Sequence, residues 1–197
     1  NMTTRLAAFL FVCSAVSHAQ IAVLNGASNR VGQPVSPGSW ATAYGNFAGV
    51  SATTATATPF PKTLGGVTVT VDGTDAPIYF VSGTQVNFLI PAGTVTGVKP
   101  VQVKTSGATV SGTVRLIPAA PGLFVKDAAT PPKGAILNQD STENTSGNLA
   151  RRGQVIQIFG AGAGELSAAI ADGAVAPSSP IVTTRATPQV FIGGVEA

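Results

Sequence analysis

Residues 67–75, "VTVTVDGTD", limit the fold more tightly than any other stretch. Val and Thr alternate strictly over 67–71, which puts Val67, Val69 and Val71 on one face of an extended strand. "DGTD" at 72–75 then supplies a hairpin turn. Comparable runs recur on either side: residues 21–24, "SWATAYG", "APIYFVS", "QVNFLIP" at 85–91, "VKPVQVKT" and "TVSGTVRLIP". Trp40, Thr42 and Tyr44 alternate with Ala41 and Ala43, and Val101 and Val103 with Gln102 and Lys104. Turns fall at Gly83 and at Ser106-Gly107, and a long small-residue connection, "VSATTATATPFPKTLGG", ends in Pro59-x-Pro61 and a glycine pair. About seven short strands at this spacing predict a β-sandwich.

Composition narrows the class further. Of the 197 residues, 10% are charged and 44% hydrophobic, with 23 Gly and 14 Pro, which fits short strands and tight turns rather than disorder. The net charge is +3, and Arg151-Arg152 is the sole basic doublet. Nucleic acid is therefore not an expected partner, because its recognition calls for a basic stripe.

The N-terminus reads as a secretory signal peptide over residues 1–19. Arg5 is the basic n-region, Leu6 to Val16 form an apolar core too short to span a bilayer, and Ser17-His18-Ala19 is a small-x-small cleavage site before Gln20. Cys13 and His18 are the only Cys and His and leave with the signal. The exported chain then has no thiol or imidazole for a Ser-His-Asp triad, a Cys-His pair or a zinc site. A secreted location without a stable membrane span is expected, and a secreted domain without disulfides must rely on its core.

An internal repeat organises the chain. "VLNGASN" at 23–29 matches "ILNQDST" at 136–142, aligning Asn25 with Asn138. "PGSWATAYGNFAG" at 37–49 matches "RRGQVIQIFGAGAG" at 151–164, aligning Gly38, Gly45 and Gly49 with Gly153, Gly160 and Gly164. "VTVDGTDA" at 69–76 matches "VFIGGVEA" at 190–197. The expected organisation is an immunoglobulin-like sandwich over 20–121, a proline-rich linker over 122–133, and a second copy over 134–197. That copy stops before any equivalent of "PIYFVS" and the strands after it, so it is expected to be truncated and to leave Val155, Ile156, Ile158, Phe159, Val190, Phe191 and Ile192 without a covering sheet.

The repeat bears on "VIQIFGAGAGE" at 155–165, which resembles a strand breaking into a dinucleotide-binding loop. In the first copy the middle glycine is Phe47, and within the second copy Glu165 occupies the last glycine's place. Close approach to a pyrophosphate needs the former, and an acidic side chain at the latter repels phosphate. The segment therefore reads as a glycine-rich turn or bulge at a strand end, and no cofactor is assigned.

"LGGVTVTVDGTDAPIYFVSGTQVNFLIPAGT" and "GAILNQDSTENTSGNLARRGQVIQIFGAGAGELSAAIADGAVAPSSP" resemble an uncharacterised domain family of secreted acidobacterial proteins, the Solibacter-type C-terminal domain. The resemblance implies an immunoglobulin-like sandwich similar to IPT/TIG modules and an extracellular setting. It brings no activity and no catalytic residues.

Candidate chemistry is sparse. Asp72 and Asp75 flank a turn, where Asp is favoured for its own backbone hydrogen bonds, so they are not read as a catalytic pair. "NQDSTENTSGN" at 138–148 crowds Asn138, Asp140, Glu143 and Asn144 into one loop, readable as Asx turns or as an oxygen-rich cation loop; no metal is assigned. Trp40, Tyr44, Tyr79, Phe80 and Phe88 are the main aromatics and are expected chiefly in the core, with an exposed sugar-binding platform as the alternative; adjacent Tyr79 and Phe80 are expected on opposite faces, one of them outward. The expected protein is a non-enzymatic secreted module: a spacer, adhesion or matrix domain. The alternatives are a carbohydrate-binding module and an assembly subunit completed by strand donation. The candidate partners are accordingly a polysaccharide, other surface proteins, or a second copy engaged through open strands.

Overall fold

A computed structural model describes residues 20–126 and 132–197. The signal peptide expected over 1–19 and part of the expected linker lie outside the described residues. The fold is all-β, with no helix among the described residues. No helix there is long and apolar enough to cross a membrane.

Ten strands build a two-sheet sandwich: β1 (Ala22–Asn25), β2 (Trp40–Tyr44), β3 (Thr53–Thr54), β4 (Thr63–Leu64), β5 (Val67–Val71), β6 (Thr74–Asp75), β7 (Ile78–Val81), β8 (Gln85–Leu89), β9 (Gly97–Lys104) and β10 (Thr109–Leu116). One sheet runs β1-β2-β8-β7-β3; the other runs β10-β9-β5-β4, with β6 pairing β5, and all these pairs are antiparallel. Val67, Val69 and Val71 are buried on one face of β5, as the alternation predicts. Val101 and Val103 on β9 join them, and Ala41, Ala43, Val86 and Phe88 face them from the other sheet. Full burial of a Val or Phe side chain is worth about 1.5–3 kcal/mol, so this interior is the main source of stability.

The hairpin at Asp72-Gly73 forms as expected. Thr70 pairs with Asp75 and Val71 with Thr74, leaving two turn residues at φ 51° and 79°. Positive φ at both central positions marks the turn whose twist matches that of the flanking strands.

The ends of the chain segment close the sandwich. Gln20 bridges Ser111 in parallel, and the Ile21 amide donates to the Ser111 carbonyl at 3.1 Å. Ile21 crosses β10 over Gly112, where an added Cβ would sit 2.5 Å from the Ile21 carbonyl oxygen. Val35 inserts beside Leu116 in the same way.

One expectation needs correction. Tyr79 and Phe80 do not face opposite sides. Ile78 pairs with Phe88 and Phe80 with Asn87, so Tyr79 is the extra residue of a β-bulge. Ile78 and Val81 stay buried, Phe80 shares the outward register of Asn87, and Tyr79 also lies on the outer side, against Trp40. The bulge shifts the alternation by one residue, so both rings leave the interior.

The rest of the chain has short strands only: β11 (Gly122–Leu123), β12 (Ile136–Leu137), β13 (Gln157–Ile158), β14 (Gly160–Ala161), β15 (Phe191–Ile192) and β16 (Val195–Glu196). They pair as β11-β14, β12-β13 and β15-β16. The start of the expected linker is thus itself a strand partner. Among the described residues the buried hydrophobic side chains all fall between Ile21 and Ala120, whereas Val155, Phe159, Val190, Phe191 and Ile192 are exposed.

Candidate functional site

The outer face of the β1-β2-β8-β7-β3 sheet carries the most distinctive surface. Trp40, Thr42 and Asn87 project there, because Ala41 and Phe88, their register neighbours, point inward. The bulge adds Tyr79, and the connection between β3 and β4 brings Phe60. Trp40, Phe60 and Tyr79 then form a three-ring cluster with centroids 5.5–5.6 Å apart and interplanar angles of 55–72°. Two of these pairs pack edge-on and the Trp40–Phe60 pair is tilted, so the cluster is not a coplanar platform.

Beside the cluster lies a cleft of about 240 Å³ lined by Gly26, Trp40, Ala41, Thr42, Tyr79, Asn87 and Phe124. Phe124 comes from the segment after the sandwich. It is positioned by two hydrogen bonds: its amide donates to the Phe159 carbonyl at 3.0 Å, and its carbonyl accepts from the Ala135 amide at 2.7 Å. The sequence pattern singles out Trp40 and Tyr79 but not Phe60, Phe124 or Asn87. The alternation of "SWATAYG" puts Thr42 on the same face as Trp40 and Tyr44, and the structure turns that face outward, so Trp40 lies outside the core in which it was expected.

The glycine stretch lies against the chain's own backbone at residues 118–123. The Ala120 amide donates to the Gly162 carbonyl at 2.8 Å, and Gly122 and Leu123 pair with Ala161 and Gly160. A Cβ on Gly162 would lie 2.1 Å from the Ala120 carbonyl oxygen, and φ there is 85°. On Gly164 it would meet Ala119 Cβ at 2.9 Å. The glycines admit the chain's own backbone, a close approach that no other residue type allows. Phe47, which aligns with Gly162, is instead buried in the sandwich core. The following residues, 165–173, have no helical turn; Ser167 and Arg185 instead bond in extended fashion to Thr183 and Glu165.

Two further contacts tie this half to the sandwich. The Phe60 amide donates to the Gly173 carbonyl at 2.9 Å, and the Ala92 amide donates to Asp172 Oδ1 at 2.9 Å. On the sandwich side, Asn25 Nδ2 donates to the Ala120 carbonyl at 3.0 Å, while its Oδ1 accepts from the amides of Ala27 and Ser28.

The carboxylates that the sequence singles out do not converge. Asp72 pairs with Lys99 at 2.7 Å across the turn, and Asp75 is exposed at its far side. In the loop 138–148, Glu143 pairs with Lys126 at 2.5 Å. Asp140 accepts from the Thr142 hydroxyl at 2.6 Å and the Thr142 amide at 3.0 Å. Those two bonds, the hydroxyl's foremost, hold the Asp140 carboxyl below its ordinary pKa. Asn138 is buried and organises the loop: its Nδ2 donates to the Asn148 carbonyl at 3.1 Å and its Oδ1 accepts from Asn144 Nδ2 at 2.8 Å. The loop's oxygens are thus used internally, as Asx turns require. No group of three or more His, Cys, Asp or Glu able to hold a metal occurs among the described residues. A polar groove of about 400 Å³ lies beside the loop, walled by Asn138, Asp140, Asn148, Arg151 and Gln154 among others.

Neither a protein-family model nor any curated protein compared with it matches this chain.

Proposed function

We propose that this chain is an exported, non-enzymatic structural module, a spacer, adhesion or matrix element of a larger bacterial surface protein, in the Solibacter-type C-terminal domain family. The junction between its two halves carries this reading. It is made of backbone hydrogen bonds and glycine-permitted close approach at Ala120–Gly162 and along the β11-β14 pair. Backbone pairing fixes direction as well as distance, which is what a spacer must do; a free linker would leave its neighbours to reorient.

A repeat origin of 134–197 is part of the same proposal, and strand register supports it. Val23 pairs with Ala43 and Leu24 with Thr42; Ile136 pairs with Ile158 and Leu137 with Gln157. Counted back from the aligned residues Asn25 and Gly45, and Asn138 and Gly160, the two sets of pairs coincide. The β15-β16 hairpin turns at Gly193-Gly194 with φ 61° and 84°, as the β5-β6 hairpin turns at Asp72-Gly73.

Expression in a bacterial host with sequencing of the exported form tests the reading. The expected product starts at Gln20, appears outside the cytoplasm, and resists a broad-specificity protease between residues 118 and 126. Retention of Cys13 in a cytoplasmic product, or rapid cleavage within 118–126, overturns it.

A further inference from the structure

We infer that the cleft between Trp40, Tyr79 and Phe124 is a binding site for one neutral sugar ring, an activity beyond the structural role proposed above. Three observations meet there. The first is the wall: the faces or edges of three aromatic rings supply apolar surface, with Tyr79 40% exposed at the rim. The second is the floor. Thr42 is 2% exposed and lines the cleft, yet its hydroxyl has no hydrogen-bond partner among the described residues. Asn87 beside it receives a bond from Gln85 Nε2 on its Oδ1 at 2.8 Å, which leaves its Nδ2 free as a donor. Among the described residues the fully buried side-chain atoms without a partner are Ser36 Oγ and Ser39 Oγ, not these two, so the Thr42 hydroxyl and the Asn87 amide are open to the cleft, where a ligand's polar atoms can meet them. The third is charge: no ionisable side chain other than the Tyr79 phenol lines the cleft.

A pyranose matches this set. One face of the ring presents C–H groups, which pack on aromatic carbon. Its rim presents hydroxyls, which both accept from Asn87 Nδ2 and exchange a hydrogen bond with Thr42 Oγ1. A charged ligand would be desolvated without a counter-charge, which is costly. A volume of about 240 Å³ is below the ~300–1,000 Å³ of sites for drug-sized ligands, so one ring fits and a chain would have to extend outward past Tyr79. Because Phe124 follows the sandwich and is held by β-type bonds to Phe159 and Ala135, the site exists only when the two halves are docked.

Trp40 is the sole tryptophan, so its fluorescence reports the site directly. The experiment titrates the whole chain with glucose, galactose, mannose, xylose and N-acetylglucosamine, with glucuronate as the charged control. A saturable change is expected with at least one neutral sugar at millimolar concentration, weaker with glucuronate. Thr42→Val keeps the side-chain shape and removes the hydroxyl; it should weaken binding about fivefold, the worth of one hydrogen bond. Shifts of the Asn87 side-chain amide in nuclear magnetic resonance spectra of the unaltered protein give a readout that does not depend on any variant folding. No saturable Trp40 change with any of the five neutral sugars overturns the inference. So does binding accompanied by no shift at Asn87, or glucuronate binding tighter than every neutral sugar.

Discussion

The sandwich and the half that follows it use the same local elements and stabilise them in different ways. Both have a strand pair ending in a buried asparagine, Asn25 in one and Asn138 in the other, and both have a two-residue hairpin with positive φ. In the sandwich these elements sit over a second sheet, and the side chains between the sheets are buried. In residues 134–197 they are held by backbone hydrogen bonds to one another and to the sandwich edge, with Phe159, Phe191 and Ile192 exposed. Hydrogen bonds define geometry but contribute only about 1 kcal/mol each net. Apolar burial supplies the larger part. The same motif is therefore a stable domain in one place and an edge attachment in the other.

The comparison is broken most strongly by truncating one phenylalanine in each half. Phe88→Ala should cost about 3–5 kcal/mol, because Phe88 is fully buried between the sheets. Phe191→Ala, at a residue 59% exposed, should stay within about 0.5 kcal/mol. Denaturant unfolding of both variants measures the contrast; equal losses would mean that the second half has a core of its own.

A smaller effect separates attachment from folding. Gly162→Val combines a left-handed φ with a Cβ placed against the Ala120 carbonyl, a strain of roughly 1–3 kcal/mol. It should raise hydrogen exchange at the Ala120 and Phe124 amides while Val69 and Val103 keep their protection. Loss of protection in both places would show that the halves unfold as one unit.

The smallest effect is electrostatic and confined to the loop 138–148. The folded state lowers the Asp140 pKa, so the Asp140–Thr142 bonds add stability above the ordinary carboxylate range. That contribution falls away as pH drops through the lowered value. Thr142→Ala removes the hydroxyl but keeps the amide, so it should raise the Asp140 titration part of the way towards its ordinary range, read from its carboxyl carbon resonance, with no change in unfolding of the sandwich at neutral pH. An unchanged Asp140 titration in that variant would assign the lowering to another cause.

Much of the sandwich was legible because a half-buried strand writes its period into the sequence. "VTVTV" alternates cleanly, as does 101–104 of β9, and their inward and outward residues fall where the pattern puts them. β3 and β4 are two residues each, too short to show a period within a run of Thr and Ala. The bulge at Tyr79 leaves no compositional mark, since it depends on how β7 meets β8, and this is why both Tyr79 and Phe80 face outward where only one was expected to. The glycine stretch stood out by its spacing, but its partner, residues 118–122, is a tertiary contact that spacing does not encode. The same holds for the cleft. Two of its aromatics stand out in the sequence, while Phe60 and Phe124 reach it only through the path of the connecting segments.

The contact of Asn25 with Ala120 spans 95 residues, and the bridges from Gln20 to Ser111 and Val35 to Leu116 are similarly distant in the chain. A polypeptide made from its N-terminus therefore produces its first strand long before that strand's partners exist. Until residues 111–120 are available, Ile21 and Val35 have no interior to enter, and the Asn25 amide has no carbonyl to meet. Closure of the sandwich belongs to the end of its synthesis, and loop-closure entropy makes it slow for its size. A chain cut short near residue 105 would keep the β5-β9 pairing and most of its valines, yet would stay open along the seam where its two ends should meet.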